Sequence, residues 1–269
     1  MTLLNNVKEI SPIFISGSVR SGTTIVTRAL REVGIPGYDE GRFIDFMGLF
    51  LKLSERRYLE QSKAHSASAD IMLKNVSRDE FERNFSEWFV EQYLKYCKYE
   101  GVWVDKTPNL EFLYAVKQIS EIIPKSKFIF LKRRPIENIE SRIKKFSHTD
   151  MSFEQHCNYW QEIMDKISSI QNEIPSDKYI LIDQYEISKN PDQVANQIGL
   201  FLNLNFKQIE DIKNVFIKTR PESTGGNEDN IKSLEEMPWT EDQKKYFLNV
   251  CGSMTDKFGW SLEKKYYKD

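Results

Sequence analysis

Ile13-Phe14-Ile15 is a short run of β-branched and aromatic residues that passes straight into Ser16-Gly17-Ser18-Val19-Arg20-Ser21-Gly22-Thr23-Thr24. Beyond Thr24, the residues Ile25, Val26, Ala29, Leu30 and Val33 recur at helical spacing. Strand, glycine-containing loop and helix in immediate succession open a βα unit, which needs further parallel strands before it can bury both sides of its own. The chain supplies them. Val102-Trp103-Val104, Lys127-Phe128-Ile129-Phe130-Leu131-Lys132 and Lys178-Tyr179-Ile180-Leu181-Ile182 each stand ahead of a helical pattern. The 127–132 segment is apolar on both faces and is expected at the centre of the sheet. The expected architecture is α/β, a central parallel sheet flanked by helices.

Between the strands, Gly34 stops the first helix and Pro36-Gly37 turns the chain. Residues 41–100 read as mainly helical, with Phe81, Phe85, Trp88, Phe89, Tyr93 and Tyr96 spaced to form a core stripe. Further helices are expected from about Leu110 to Ile122, Pro135 to Phe146, Phe153 to Asn172, Pro191 to Leu202 and Thr240 to Phe258. Pro135 and Pro191 stand where a first helical turn tolerates them. Arg220 to Lys232, with Pro221, Gly225 and Gly226, is the strongly loop-like stretch. No repeat, low-complexity block or linker divides the 269 residues, so a single domain is expected.

Thirty-eight Lys and Arg against 40 Asp and Glu leave a net charge of -2, which argues against a polyanion-coating role and a nucleic-acid partner. No apolar run approaches the about 18 residues of a membrane helix, and Met1 to Ile10 lacks the basic-then-apolar order of a secretion signal, so a soluble protein is expected. Cys97, Cys157 and Cys251 lie too far apart for a C-x-x-C metal site and are odd in number, which fits a reducing compartment.

Gly17 and Gly22 have the spacing of G-x-x-x-x-G-K-[ST], but Thr23 stands where the lysine belongs. In a nucleotide triphosphatase that lysine reaches the β- and γ-phosphates while a metal balances the remaining charge. Backbone N–H groups, the Thr23 and Thr24 hydroxyls and a helix N-terminus suit one terminal phosphate and are poorly equipped for three. The basic residue has moved into the loop as Arg20, whose planar fork binds oxygens bidentately. The plain alternative is a tight strand-to-helix turn with no ligand.

A second cluster follows the 127–132 strand. Between Lys125 and Lys145 stand eight basic residues, Arg142 and Lys144 among them, against Glu137 and Glu140. Arg133 leaves the carboxyl end of the strand, where open α/β sheets bind ligands. Ser141 lies two turns into the next helix, with Lys145 on the same face. A solvated helix end accounts for Lys144 and Lys145 but not for Arg133 ahead of a proline. Two separated anion sites suit a nucleotide phosphorylated at both its 5' and 3' positions, whereas ATP needs one.

Together these clusters resemble the sulfotransferase family, which uses 3'-phosphoadenosine 5'-phosphosulfate (PAPS). The family's 5'-phosphosulfate loop is similar to Gly17–Thr24, and its 3'-phosphate motif to Arg133-Arg134-Pro135 followed by Ser141. Asp105-Lys106-Thr107-Pro108, and Tyr185-Glu186-Ile187 followed by Asn190-Pro191 and Phe201-Leu202-Asn203-Leu204, extend the similarity. The resemblance implies one P-loop-like domain over residues 1–269, with the stretch of about 41–100 as a helical insert on the acceptor side. It further implies that Arg20, Ser21, Gly22, Thr23 and Thr24 hold the 5'-phosphosulfate while Arg133, Ser141 and Lys145 hold the 3'-phosphate. Tyr185 matches a tyrosine that lies at the nucleotide in the branch acting on protein tyrosines. Lys232, after Gly225-Gly226, is the candidate for the late basic loop with which family members complete the cofactor site.

The implied reaction is in-line sulfuryl transfer to an acceptor hydroxyl or amine. A sulfuryl group carries about one negative charge where a γ-phosphoryl carries about two, so arginines and lysines suffice and no metal is expected. Glu40, in Tyr38-Asp39-Glu40-Gly41-Arg42, leads as the base, because the first helix and turn can return it toward the loop and the tyrosine-directed branch has a base glutamate at a similar remove. Asp39 and Asp45 stand behind it, and the plain alternative is that this acidic group pairs with Arg42 or caps a helix. His65, His148 and His156 match no catalytic histidine. Lys106, with Arg20, is the candidate to stabilise the departing phosphate; alternatively Asp105 and Lys106 form a turn and a surface ion pair. A P-loop nucleotide or sugar kinase, which Thr23 opposes, and a non-catalytic nucleotide-binding protein remain open. The resemblance allows a small-molecule, carbohydrate or peptide acceptor, while the expected soluble form and the low cysteine use point to a cytoplasmic location.

Overall fold

The computed structural model describes residues 7, 9–64, 75–218 and 231–269. Among them five strands, β1 (Ser11–Gly17), β2 (Gly37–Tyr38), β3 (Val102–Lys106), β4 (Lys127–Lys132) and β5 (Tyr179–Asp183), form one parallel sheet in the order β2-β3-β1-β4-β5. The connecting helices are α1 (Thr23–Glu32), α2 (Asp45–Ala64), α3 (Arg78–Tyr96), α4 (Leu110–Ile122), α5 (Pro135–Lys145), α6 (Phe153–Ile170), α7 (Gln184–Lys189), α8 (Pro191–Leu202), α9 (Phe206–Lys218) and α10 (Glu241–Lys257).

The two-residue period of the strands sorts apolar side chains by kind. Phe14, Trp103, Phe128 and Phe130 point to the face covered by α2 to α6 and α10. Ile13, Ile15, Val104, Ile129, Leu131 and Ile182 point to the other, under α1, α8 and α9. Each such side chain, fully buried, is worth about 1.5 to 3 kcal/mol, and β4 contributes to both faces as its unbroken apolar run requires. Phe14 lies beside Asp105 in β3 and Phe128 in β4, so the sheet is centred on β1 and its immediate neighbours.

The topology also makes a crevice. From β1 the chain crosses over β3 to reach β2, whereas from β4 it moves outward to β5. The loops after β1 and β4 therefore part, and open sheets bind ligands at such a parting.

Several expectations need correction. Gly37–Tyr38 is a short edge strand on β3 rather than only a turn, and α7 and α9 are helices where the apolar pattern predicts none. Of the aromatic stripe in α3, Phe89 and Tyr93 are buried, but Phe81, Trp88 and Tyr96 are exposed. Aromatic residues encircle that helix, and only one side of it meets the core. The loop-like stretch from Arg220 to Asn230, and part of the 41–100 segment, lie outside the described residues. Among the described residues no helix is long and apolar enough to cross a membrane.

Candidate active site

The loop after β1 is shaped by close approach. A Cβ on Gly17, whose φ is +151°, would lie 2.1 Å from the Leu131 carbonyl oxygen, so only glycine lets the chain turn out against β4. Gly22, at φ 90°, is the N-cap of α1 and supplies no side-chain cap. The first amides of α1 thus remain donors without an intrahelical partner. Arg20, at φ 78°, holds a left-handed conformation uncommon for a residue with a Cβ.

Side chains from α5 fix this loop. Ser18 Oγ donates to Asn138 Oδ1 at 2.9 Å, and Asn138 Nδ2 donates to the Val19 carbonyl at 3.2 Å. Arg20 Nε donates to Ser141 Oγ at 3.0 Å, while Arg133 Nη1 donates to the Arg20 carbonyl at 3.0 Å. The two basic clusters, more than 110 residues apart in sequence, therefore meet at one place. Trp160 Nε1 holds the Arg133 carbonyl at 3.2 Å from behind.

The electrostatics there favour an anion. Burial pushes the Arg133 guanidinium below its ordinary pKa, and its Nε has no partner. Burial and then the charge of Arg133 push Arg20 down as well. Ser21 Oγ is fully buried and unpartnered. Two crowded guanidiniums, an orphaned hydroxyl and a free helix N-terminus are a donor set that a phosphate would satisfy.

Lys106 ends β3 with its side chain buried, its Nζ 3.3 Å from Thr24 Oγ1 and 3.5 Å from Glu40 Oε1. Glu40 is brought there because Gly41 N donates to the Lys106 carbonyl at 3.1 Å. A side chain at Gly41 would collide with the Asp105 carboxylate. Glu40 also accepts from Arg42 Nε at 2.6 Å, the ion pair that the sequence left as an alternative. Asp105 does not pair with Lys106 in a surface turn. It is fully buried and accepts from Tyr93 OH at 2.7 Å and Thr107 Oγ1 at 2.8 Å, and burial raises its pKa against those two bonds.

A cavity of about 660 Å³ opens over these groups. Arg20, Gly22, Thr23, Thr24, Glu40, Lys106, Arg133 and Lys145 line it, as the sequence reading grouped them. Ser21 and Ser141 sit just behind the wall, Ser141 through its bond to Arg20. Tyr185 and Lys232 are placed elsewhere. The Tyr185 ring stacks on Tyr266 at 4.1 Å, although its neighbours Gln184, Ile187 and Ser188 do line the cavity. Lys232 Nζ donates to Glu140 at 2.7 Å. Asp39 pairs with Arg31 on the surface. Asp45 lies behind Asn109, whose Nδ2 donates to its Oδ2 at 2.5 Å; burial pushes the Asp45 pKa up to about 6, and its Oδ1 has no partner. His156 is buried away from the cavity and held below its ordinary pKa by burial and Arg142, His148 is exposed, and His65 lies outside the described residues.

Sequence reasoning missed Arg42, Asn109, Arg142 and Tyr159 on the wall. Arg142 was legible only as one of eight charges, and nothing local marks Tyr159. Arg134 is a different case. Fully buried, it donates to the carbonyls of Ser261, Glu263, Lys265 and Lys232 and pairs with Glu137, while its own N–H is taken by Tyr266 OH at 3.0 Å. Asp183 fastens the same segment by accepting from Tyr266 OH at 2.6 Å, Trp260 Nε1 at 2.8 Å and Lys132 Nζ at 3.0 Å.

The model of the sulfotransferase family matches residues 12–208. No curated protein sequence matches. Among solved structures the chain is similar to sulfotransferase STF9 from Mycobacterium avium, at 14% identity and a TM-score of 0.56 over 97% of this chain and 80% of that one. It is also similar to the sulfotransferase domain of the Synechococcus PCC 7002 olefin synthase, at 18% identity and 0.54 over 95% and 97%. A third is mouse sulfotransferase SULT7A1 complexed with PAP, at 11% identity and 0.50 over 94% and 89%. At these identities the likeness establishes the fold, a P-loop-like domain with a five-stranded parallel sheet.

Proposed function

The chain belongs to the sulfotransferase family, and we propose that it moves a sulfuryl group from PAPS to an acceptor hydroxyl or amine. When bound, that nucleotide supplies a sulfuryl group activated by a phosphate leaving group. The N-terminal amides of α1, with Arg20, Ser21, Gly22, Thr23 and Thr24, bind its 5' end. Arg133, Ser141 and Lys145 bind its 3'-phosphate, and Arg20 spans the two sites through its contacts with Ser141 and Arg133. Tyr185 and Lys232 enter through their neighbours, Gln184, Ile187 and Ser188 on the cavity wall in one case and Arg134, bound to the Lys232 carbonyl, in the other. No metal is required where so many cations line the cavity.

One observation carries the reading. Lys106 Nζ touches the phosphate loop at Thr24 and the carboxylate of Glu40 at once. Lys106 offsets negative charge gathering on the departing phosphate oxygen, and Glu40 accepts the proton of the acceptor. Arg42 and Lys106 hold the carboxylate at the cavity wall, where an acceptor hydroxyl would arrive. The acceptor is a small molecule, carbohydrate or peptide, and the odd number and wide spacing of Cys97, Cys157 and Cys251 support a cytoplasmic setting.

The test is transfer of label from PAPS to a panel of alcohols, sugars and phenols, with calorimetry of adenosine 3',5'-bisphosphate (PAP) alongside it. Glu40→Gln should keep PAP affinity and lose turnover by about 10²- to 10⁴-fold. Absence of both label transfer and PAP binding in the native protein overturns the proposal, and tight ATP–Mg binding with indifference to PAP would favour a kinase.

A further inference from the structure

The cavity wall carries a cation that the groups assigned to the nucleotide leave unused. Arg142 lines the cavity from α5, one residue beyond Ser141. Successive helical residues point about 100° apart. Ser141 faces Arg20, and Arg142 is turned instead toward α6, with its guanidinium carbon 4.1 Å from the centroid of the Tyr159 ring and 5.6 Å from that of Phe146.

Arg142 is only 2% exposed and its side chain hydrogen-bonds to Tyr159, yet its Nε and Nη1 have no partner among the described residues. The carboxylates near it in sequence are engaged elsewhere, Glu137 by Arg134 and Glu140 by Lys144 and Lys232. Across the cavity Glu40 is engaged by Arg42 and Lys106. Among the described residues no carboxylate lies within ion-pair distance of Arg142. A buried cation with unmet donors is costly unless an anion completes it.

The surroundings say what kind of anion. Among the described residues, six cationic side chains line the cavity against one carboxylate. Arg20, Lys106, Arg133 and Lys145 are assigned to the nucleotide, and Arg42 is paired with Glu40. Arg142 is left over, and beside it the wall is Phe146, Met151, Tyr159 and Asn109. Apolar and aromatic surface around one cation suits an organic acid rather than a bare phosphate.

We infer that the Arg142 end of the cavity is an acceptor subsite for a carboxylate, so that the enzyme's acceptor is an organic acid carrying the hydroxyl or amine to be sulfated. The inference rests on the sulfotransfer reading, since it takes Arg20, Arg133 and Lys145 to hold the nucleotide.

Benzoate and its neutral isostere benzamide probe the subsite without turnover. The native protein, saturated with PAP, is titrated with each by calorimetry. Benzoate should bind at least about tenfold more tightly than benzamide, and Arg142→Gln should erase that difference while holding PAP affinity within about twofold. Arg142→Lys, which keeps the charge, should restore part of the preference. Equal affinity for the two probes, or no benzoate binding, in PAP-loaded native protein overturns the inference. So does a loss of PAP affinity of about tenfold or more in Arg142→Gln, which would hand Arg142 to the nucleotide. If the native protein fails to bind PAP at all, it is the sulfotransfer reading that falls. Should Arg142→Gln not fold, the benzoate-to-benzamide ratio of the native protein and of Arg142→Lys decides.

Discussion

Arg133 and Arg134 leave β4 side by side, both buried, and their surroundings differ in kind. Arg134 is saturated: four carbonyls and Glu137 accept from it, and three of those carbonyls belong to residues 261–265. Arg133 makes one contact to the Arg20 carbonyl, keeps an unmet Nε and borders the cavity. The first is what a buried charge looks like when the fold uses it as a fastening. The second is a buried charge with an unmet donor that the proposed nucleotide would complete. Arg142 repeats the second pattern nine residues on, among aromatic rings instead of a phosphate loop.

The contrast is testable in order of expected effect. Arg134→Met leaves Glu137 and the carbonyls without their donor, and should destabilise the fold by about 3 to 5 kcal/mol, read from denaturant unfolding. Arg133→Ala should weaken PAP binding by about 1.5 to 3 kcal/mol in calorimetry, with little loss of stability, because the deleted charge had unmet donors in the free protein. If the two variants lose stability equally, the distinction between fastening and reserved charge is broken. Asp45→Asn carries the same question to a carboxylate. Burial lifts the Asp45 pKa from 3.8 to about 6, so the unfolded chain releases that proton first and stability falls as pH rises from about 4 through 6. Asn109 can still donate to an asparagine there. The variant should therefore match the native protein below about pH 4 and exceed it by about 1 kcal/mol at pH 7, less than the full shift because part of the carboxyl stays in water. A gain at acid pH, or a loss at pH 7, would show that Asp45 is tied in more firmly than its unmet Oδ1 indicates.

What could be read from the sequence follows the range of the forces involved. The unbroken apolar run of β4 announces a strand buried on both faces, and Asn190-Pro191 marks the start of α8, which ends at Leu202 as the pattern requires. Glycine spacing located the tight turn between β1 and α1, and the expectation that the chain returns Glu40 toward it agrees in position with the Lys106–Glu40 contact. The roles of Arg133 and Arg134 were not separable in the same way. Their difference is made by Ser261, Glu263, Lys265 and Tyr266, some 130 residues later, and no local pattern carries that information. The exposure of Phe81, Trp88 and Tyr96 was hidden for a related reason, since three- to four-residue spacing fixes which residues share a helix face but not how many faces find a partner. Tyr185 and Lys232 matched a motif or a loop position by type, and the stack on Tyr266 and the pair with Glu140 are set by neighbours distant in sequence.

The fastening at Arg134 also dictates a schedule. Tyr266, which holds the Arg134 amide, emerges from the ribosome 132 residues after it. Until then the Arg134 guanidinium has Glu137, and later the Lys232 carbonyl, but lacks the three carbonyls of residues 261–265, and the turn carrying Arg133 has Trp160 behind it but not yet Tyr266. The crevice beside Arg133 is thus among the last features a newly made molecule completes, although Arg133 itself is translated early.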